Sequence, residues 1–264
     1  MKIAFWSCVP GQTGTTSNIM AVSIMSILLH QCKNALMESH HELNSLEEPL
    51  IGNKMNSYDI GIDALARSIK SAPLDEKTVV NSSISLLNKQ LSLVLGSRKS
   101  RELYERDMDV VFNRIVDEMQ KYHNNVFIDV CSGKNELSDS ILSNADLVVV
   151  NLSQNKQIIN EYFKDDTIDS GKVIYLIGNY NYNSRYNMKN LIKLYPKFNK
   201  NNLAVIPYNV EFMDSQYDGK AIEFMIKNYE CSKKDHNYDF IKAVKNAVQL
   251  IMVRFNQEDV IWQQ

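Results

Sequence analysis

Short apolar runs bounded by turn residues recur along the chain: KIAFWSC (2–8), NALME (34–38), NVFIDVC (125–131), DLVVVNL (146–152), KVIYLIG (172–178) and LAVIP (203–207). Continuous rather than alternating apolar character is what a strand needs when both its faces are covered. Between the runs, apolar residues fall at steps of three and four. Ile19, Met20, Ile24, Ile27 and Leu28 make one stripe between Thr16 and Cys32, and Met108, Val111, Phe112, Ile115 and Met119 make another between Leu103 and Tyr122. A third, from Tyr238 to Phe255, carries Ile241, Val244, Val248 and Ile251. Each stripe predicts a helix packed on the sheet. Strands alternating with such helices imply right-handed parallel crossovers. The predicted fold is therefore α/β: a three-layer, doubly wound, mostly parallel sheet.

The stretch from Glu38 to Arg101 is the least strand-like. DIGIDALARSIKS and NSSISLLNKQLSLVLG read as two helices joined by a loop at Pro73, a helical insertion of about 42–101 after the second strand. No repeat or low-complexity linker divides the chain, so a single domain over 1–264 is expected. Such an insertion could reach over the crevice at the C-terminal ends of the strands, a placement that sequence alone does not give.

Charge adds little to this picture. A formal net charge of −2 provides no global drive toward nucleic acid or anionic membrane. The four cysteines (Cys8, Cys32, Cys131 and Cys231) form no C-x-x-C pair, the usage of reduced thiols in a cytoplasmic protein. The first apolar stretch breaks at PGQTG without a signal-peptide cleavage pattern, and no apolar run reaches the length of a membrane span.

Candidate chemistry begins with CVPGQTGTTSN (8–18), which joins the first strand to the first helix. Backbone N–H groups in such a turn, together with the positive end of the helix, form an anion cradle that needs no side chain beyond glycine. Gly11, Gln12, Thr13, Gly14, Thr15, Thr16 and Ser17 are the candidate phosphate-binding residues. The strict G-x-x-x-x-G-K-[ST] pattern fails at Val9 and Thr15. Asp129 ends the NVFIDVC run with Gly133 four residues on; it serves either to hold magnesium through water or to cap the next loop. Asn179 and Asn209 end later strands at the same edge, where each has a turn role as the alternative.

In that order, PGQTGTTS, VFIDVCSGKNELSDSILSNADLVVVNLSQN, YLIGNYNYNSRYN and LAVIPYNVEFMDSQYDGKAIEF resemble the ParA/MinD-type branch of P-loop ATPases. They are most similar to the TadZ or CpaE proteins encoded with bacterial Tad/Flp pilus machinery, without the receiver-like N-terminal domain many of those carry. The resemblance implies ATP or ADP with Mg2+, phosphates on residues 11–17, magnesium near Thr16 and Asp129, and Asp129 in the catalytic role. It also places Gly133 at the terminal phosphate and the base near Asn179 and the loop of Pro207, Tyr208 and Asn209. It further implies a homodimer engaging pilus-assembly or polar proteins from the cytoplasm, at the cell pole or inner membrane face. Both family lysines are missing: the trans-acting one aligns with Pro10 and the in-loop one with Thr15. The family's catalytic Asp after the second strand has no counterpart, since Glu38, Ser39 and His40 stand there. Losing cationic clamps costs powers of ten in phosphoryl transfer, so weak or absent hydrolysis is expected.

Three rival readings follow from other residues. Lys134 is the local candidate to restore the missing charge in an active ATPase, against an exposed loop cation. The basic clusters GSRKSR (96–101) and KLYPKFNK (193–200) are the only candidate DNA contacts, which makes DNA the weaker partner, and both suit solvated faces. A dinucleotide oxidoreductase lacks its G-x-G-x-x-G. The pair His40 and His41 has no third ligand at metal spacing and is expected at the surface or in a cap.

Overall fold

The computed structural model describes residues 1–41, 44–52, 59–164 and 168–261, with side chains for all of these except Asp109 and 255–261. Eight strands form one sheet: β1 (Lys2–Trp6), β2 (Asn34–Glu38), β3 (Ile84–Leu86), β4 (Leu91–Val94), β5 (Asn125–Asp129), β6 (Leu147–Leu152), β7 (Val173–Tyr180) and β8 (Leu203–Pro207). Their order is β3-β4-β2-β5-β1-β6-β7-β8, parallel throughout except for the β3–β4 pair. The helices are α1 (Thr15–His30), α2 (Glu47–Ile51), α3 (Ile62–Ile69), α4 (Glu76–Asn81), α5 (Arg101–Gln120) and α6 (Glu136–Asn144). They continue with α7 (Lys156–Lys164), α8 (Met188–Leu194), α9 (Val210–Tyr217), α10 (Ala221–Asn228) and α11 (Tyr238–Ile261).

Both faces of the sheet are covered, which explains the unbroken apolar runs. Along β1, Ile3 and Phe5 enter a core with Ile19, Met20 and Ile24 of α1 and Val244 and Val248 of α11. Ala4 and Trp6 point the other way, into a core with Met108, Phe112 and Ile115 of α5 and Ile141 of α6. Successive strand residues alternate sides, so a strand between two helical layers is apolar at every position.

The expected six parallel strands and the three long helices are present. The second insertion helix is not: residues 84–94 form the β3–β4 hairpin. Ile84–Ser85–Leu86 and Leu91–Ser92–Leu93 alternate with the period of a strand, and Leu91 and Leu93 bury against the core while Ser92 faces the other way. The turn has three left-handed residues, Leu87 (φ 48°), Asn88 (φ 51°) and Lys89 (φ 69°), without a glycine to mark it. Pairing β4 with β2 outweighs the local pattern. The first insertion helix forms as α3, with short α2 and α4 on either side. Parts of the 42–101 expectation, at 42–43 and 53–58, lie outside the described residues.

Candidate phosphate site

β1 stands between β5 and β6. The chain therefore leaves β1 at the centre of the sheet's C-terminal edge, where crossovers diverge and a crevice opens. From Ser7 it turns through the glycine loop into α1. Gly11 (φ 70°) and Gly14 (φ 68°) are both left-handed, the conformation that lets a tight turn present its amides on one side. Gly14 is the N-cap of α1, with no side-chain cap hydrogen bond and no acidic residue in the first turn. Among the described residues no side chain accepts a hydrogen bond from the amides that open α1.

The loop is pinned from below. An added Cβ on Gly178 of β7 would lie 2.0 Å from the Thr13 carbonyl oxygen and 2.6 Å from Asn18 Nδ2, so the loop rests directly on bare backbone. Buried Asn18 donates to the Thr13 carbonyl (3.3 Å) and to Asn151 Oδ1 of β6 (2.9 Å). Thr13 and Thr15 share a hydroxyl hydrogen bond (3.0 Å), and Ser17 Oγ donates to Gln216 Oε1 of α9 (2.8 Å).

Above the loop lies a cavity of about 480 Å³ lined by residues 10–11 and 13–17 with His40, His41, Ser45, Asp129, Cys131 and Ser132. Thr16 and Asp129, the expected magnesium pair, meet here: Thr16 Oγ1 donates to Asp129 Oδ2 at 2.7 Å. Asp129 is 1% exposed, and its Oδ1 has no hydrogen-bond partner among the described residues. Burial pushes its carboxyl up to about 6, against the lowering effect of His40 and the Thr16 hydroxyl; Glu38 adds to the rise.

Glu38 is the neighbour of Asp129 in register across β2 and β5 and is equally buried. Its Oε2 accepts from Ser45 N (2.9 Å) and Ser45 Oγ (2.6 Å) and lies 3.2 Å from His40 Nδ1. His40 is therefore neither a cap nor a surface residue; its side chain is only 22% exposed and lines the cavity. Burial lowers its pKa, but the bond to Glu38 and the charges of Asp129 and Glu38 outweigh that and raise it above the ordinary value. His41 packs against Tyr104 with the rings tilted and their centroids 5.8 Å apart, and among the described residues no group of three or more His, Cys, Asp or Glu is arranged to hold a metal ion.

The remaining sequence candidates divide. Gly133 (φ 81°) is tied in, its N–H donating to the Ser7 carbonyl (3.0 Å) and its carbonyl accepting from Trp6 Nε1 (2.9 Å). The Asn179 side chain lies beside Gly14: a Cβ added there would be 3.4 Å from Asn179 Oδ1. Gln12 and Tyr208 are exposed, and Pro207 is a buried end of β8. Asn209 caps α9 by accepting from Phe212 N (2.7 Å), while its amide donates to Asn237 Oδ1 (2.8 Å), so both of its polar ends are engaged. Lys134 lines a neighbouring cavity with Trp6, Cys8 and Glu161 instead of the loop cavity. Burial raises the Cys8 and Cys131 thiols, which disfavours the nucleophilic thiolate. In the GSRKSR cluster, Arg98 pairs with Glu47 (3.1 Å), Lys99 with Asp107 (2.8 Å) and Arg101 with Glu105 (2.8 Å).

Sequence reading missed Gly178 and the role of His40. Gly178 had a signal, a glycine at the end of a buried strand. The pairing of Glu38 with Asp129 depends on strand order, which sequence spacing does not carry.

This sheet, with a glycine loop after its central strand, is the fold of the ParA/MinD-type P-loop ATPases. Three solved structures illustrate it. A ParA family ATPase from Chlorobium tepidum TLS matches with a TM-score of 0.72 at 12% identity, over 94% of this chain and 98% of its own. The septum site-determining protein MinD from Pyrococcus horikoshii OT3, complexed with Mg-ADP, matches with a TM-score of 0.66 at 13% identity over 94% and 95%. The MinC:MinD cell division complex of Aquifex aeolicus matches with a TM-score of 0.68 at 13% identity over 95% of each chain. No protein-family model and no curated protein sequence matches the chain. No helix among the described residues is long and apolar enough to cross a membrane.

Proposed function

We propose that this protein binds magnesium-ATP or -ADP at residues 11–17 and turns it over slowly or not at all, so that its output is assembly rather than hydrolysis. The observation that carries this reading is the unpartnered Oδ1 of buried Asp129, which lines a cavity floored by an uncapped helix N-terminus. A buried carboxylate oxygen without a partner costs stability unless a cation or its water meets it, while uncapped amides attract an anion. A magnesium phosphate satisfies both needs at once. Thr16 and Asp129 would hold the metal and the amides of residues 11–17 the phosphates, with Asn179 beside the loop. The bound metal would supply charge neutralisation to the phosphates.

Slow turnover follows from the lining, which among the described residues contains no lysine or arginine. The order of the four motifs supports a role with Tad/Flp-type pilus machinery, as a homodimer that binds assembly or polar proteins. A DNA partition role is weaker because the charges at 98–101 are paired with acids.

The test is the unfolding midpoint during magnesium-ATP titration, with phosphate release followed in parallel. A midpoint that rises with ligand concentration is expected, with little release. No shift at millimolar ATP removes the ligand. Rapid release that Asp129→Asn abolishes overturns slow turnover.

A further inference from the structure

The cavity holds one ionisable nitrogen side chain tied to a buried acid. His40 Nδ1 lies 3.0 Å from Ser45 Oγ and 3.2 Å from Glu38 Oε2. The Ser45 hydroxyl already donates to Glu38 Oε2, which leaves its lone pair facing the ring. Both neighbours of Nδ1 are then acceptors, so Nδ1 carries a proton. Nε2 is on the opposite side of the ring from this anchored edge and has no hydrogen bond among the described residues. Since His40 lines the cavity, Nε2 is the ring atom free to meet a ligand there.

Strand order indicates which part of a ligand it meets. Asn179, at the end of β7, touches the loop on one flank, and β2 with His40 stands on the other, beyond β5 and Asp129. A nucleotide laid across the loop with its base toward β7 and β8 runs its phosphates toward β5 and β2. Resting on the nucleotide reading above, we infer that His40, anchored by Glu38 and Ser45, binds the terminal phosphate of ATP through Nε2–H. It thus supplies positive charge in a lining that, among the described residues, holds no lysine or arginine. The buried carboxylate of Glu38, 3.2 Å from Nδ1, favours the doubly protonated ring that this contact requires. A histidine held this way discriminates: ADP, which lacks the last phosphate, gains nothing from it.

The experiment compares dissociation constants of magnesium-ATP and magnesium-ADP for the full chain, His40→Ala and His40→Gln, with unfolding midpoints recorded without nucleotide. The expected result is ATP affinity weakened about tenfold or more in both variants, as for the loss of a hydrogen bond to a charged group, with ADP affinity unchanged. His40→Gln keeps the test open should the smaller side chain unfold the β2 edge. If the unaltered chain binds both nucleotides and the variants lose neither or lose both equally, His40 is not the phosphate contact while the nucleotide reading stands. If the unaltered chain binds neither nucleotide, both readings fall.

Discussion

Helices that begin at the C-terminal edge of the sheet differ in how they start: α2 and α5 have no side-chain cap but carry acids in their first turns, Glu47 and Glu48 in one and Glu102 in the other. α6, α8 and α9 each close their own N-terminus with an asparagine: Asn135 accepts from Ser138 N (2.8 Å), Asn187 from Asn190 N (3.1 Å) and Asn209 from Phe212 N (2.7 Å). α6 and α9 also carry acids in their first turns, Glu136 and Asp139 in one and Glu211 in the other. α1 has neither device, beginning instead at a left-handed glycine among threonines. A cap is worth about 1 kcal/mol and a first-turn acid about 0.3–1 kcal/mol, so α1 forgoes stabilisation that its neighbours take. Together with the orphaned oxygen of Asp129, the absence of both devices marks the start of α1 as one left for something other than this chain's own side chains to complete.

The strongest test of the contrast is the seat of the loop. Gly178→Ala drives a methyl into the Thr13 carbonyl, 2.0 Å away, and neither backbone can yield cheaply. It should destabilise the protein by about 3 kcal/mol or more. Gly133→Ala has the reverse character: its Cβ meets nothing within 4 Å, so only the left-handed backbone resists, at about 1–2 kcal/mol. Chemical denaturation of the two variants should rank them in that order. Equal losses would mean that the loop does not rest on β7.

Next in size is Asp129. Its carboxyl is raised from its ordinary value to about 6, so the charged form is disfavoured in the folded chain. A group raised in this way gives its stabilisation below the unfolded pKa and loses it as pH climbs through the folded one. In magnesium-free buffer, Asp129→Asn should therefore match the parent near pH 4 and exceed it by as much as about 3 kcal/mol above pH 7. The same variant should show no midpoint shift with magnesium-ATP. A variant less stable than the parent at pH 7 would mean that the carboxylate is satisfied without a ligand.

Most of the sheet and the loop could be read from local pattern, because a strand between two apolar layers and a glycine turn into a helix are each encoded within a dozen residues. Thr16 and Asp129 were paired in advance on the strength of a family resemblance, and they do share a hydrogen bond. What escaped was long-range. The β3–β4 hairpin is held by pairing with β2, and its turn at Leu87–Lys89 lacks the glycine that would have announced it. His40 looked like half of a poorly placed histidine pair. Only the register of Glu38 against Asp129 shows that β2 delivers an acid-backed imidazole to the loop. Asn209 stands at the edge where the resemblance puts the base, and the turn role that is its alternative takes the form of the cap on α9; only its amide's bond to Asn237 is invisible in spacing.

The subtlest test gives α1 what its neighbours have. Thr15→Asp places an acid in the first turn, as in α6 and α9. The helix dipole rewards it by about 0.5 kcal/mol, and repulsion from Asp129 across the partly solvated cavity takes some of that back. Net stability should therefore move by less than about 0.5 kcal/mol. Binding should respond quite differently, because the new carboxylate occupies the field and the amides that a phosphate would use. Magnesium-ATP should no longer shift the midpoint, even though the fold is untouched. A variant with unchanged stability and unchanged nucleotide affinity would show that the open start of α1 is not where the phosphates sit, and the contrast with the capped helices would lose its functional meaning.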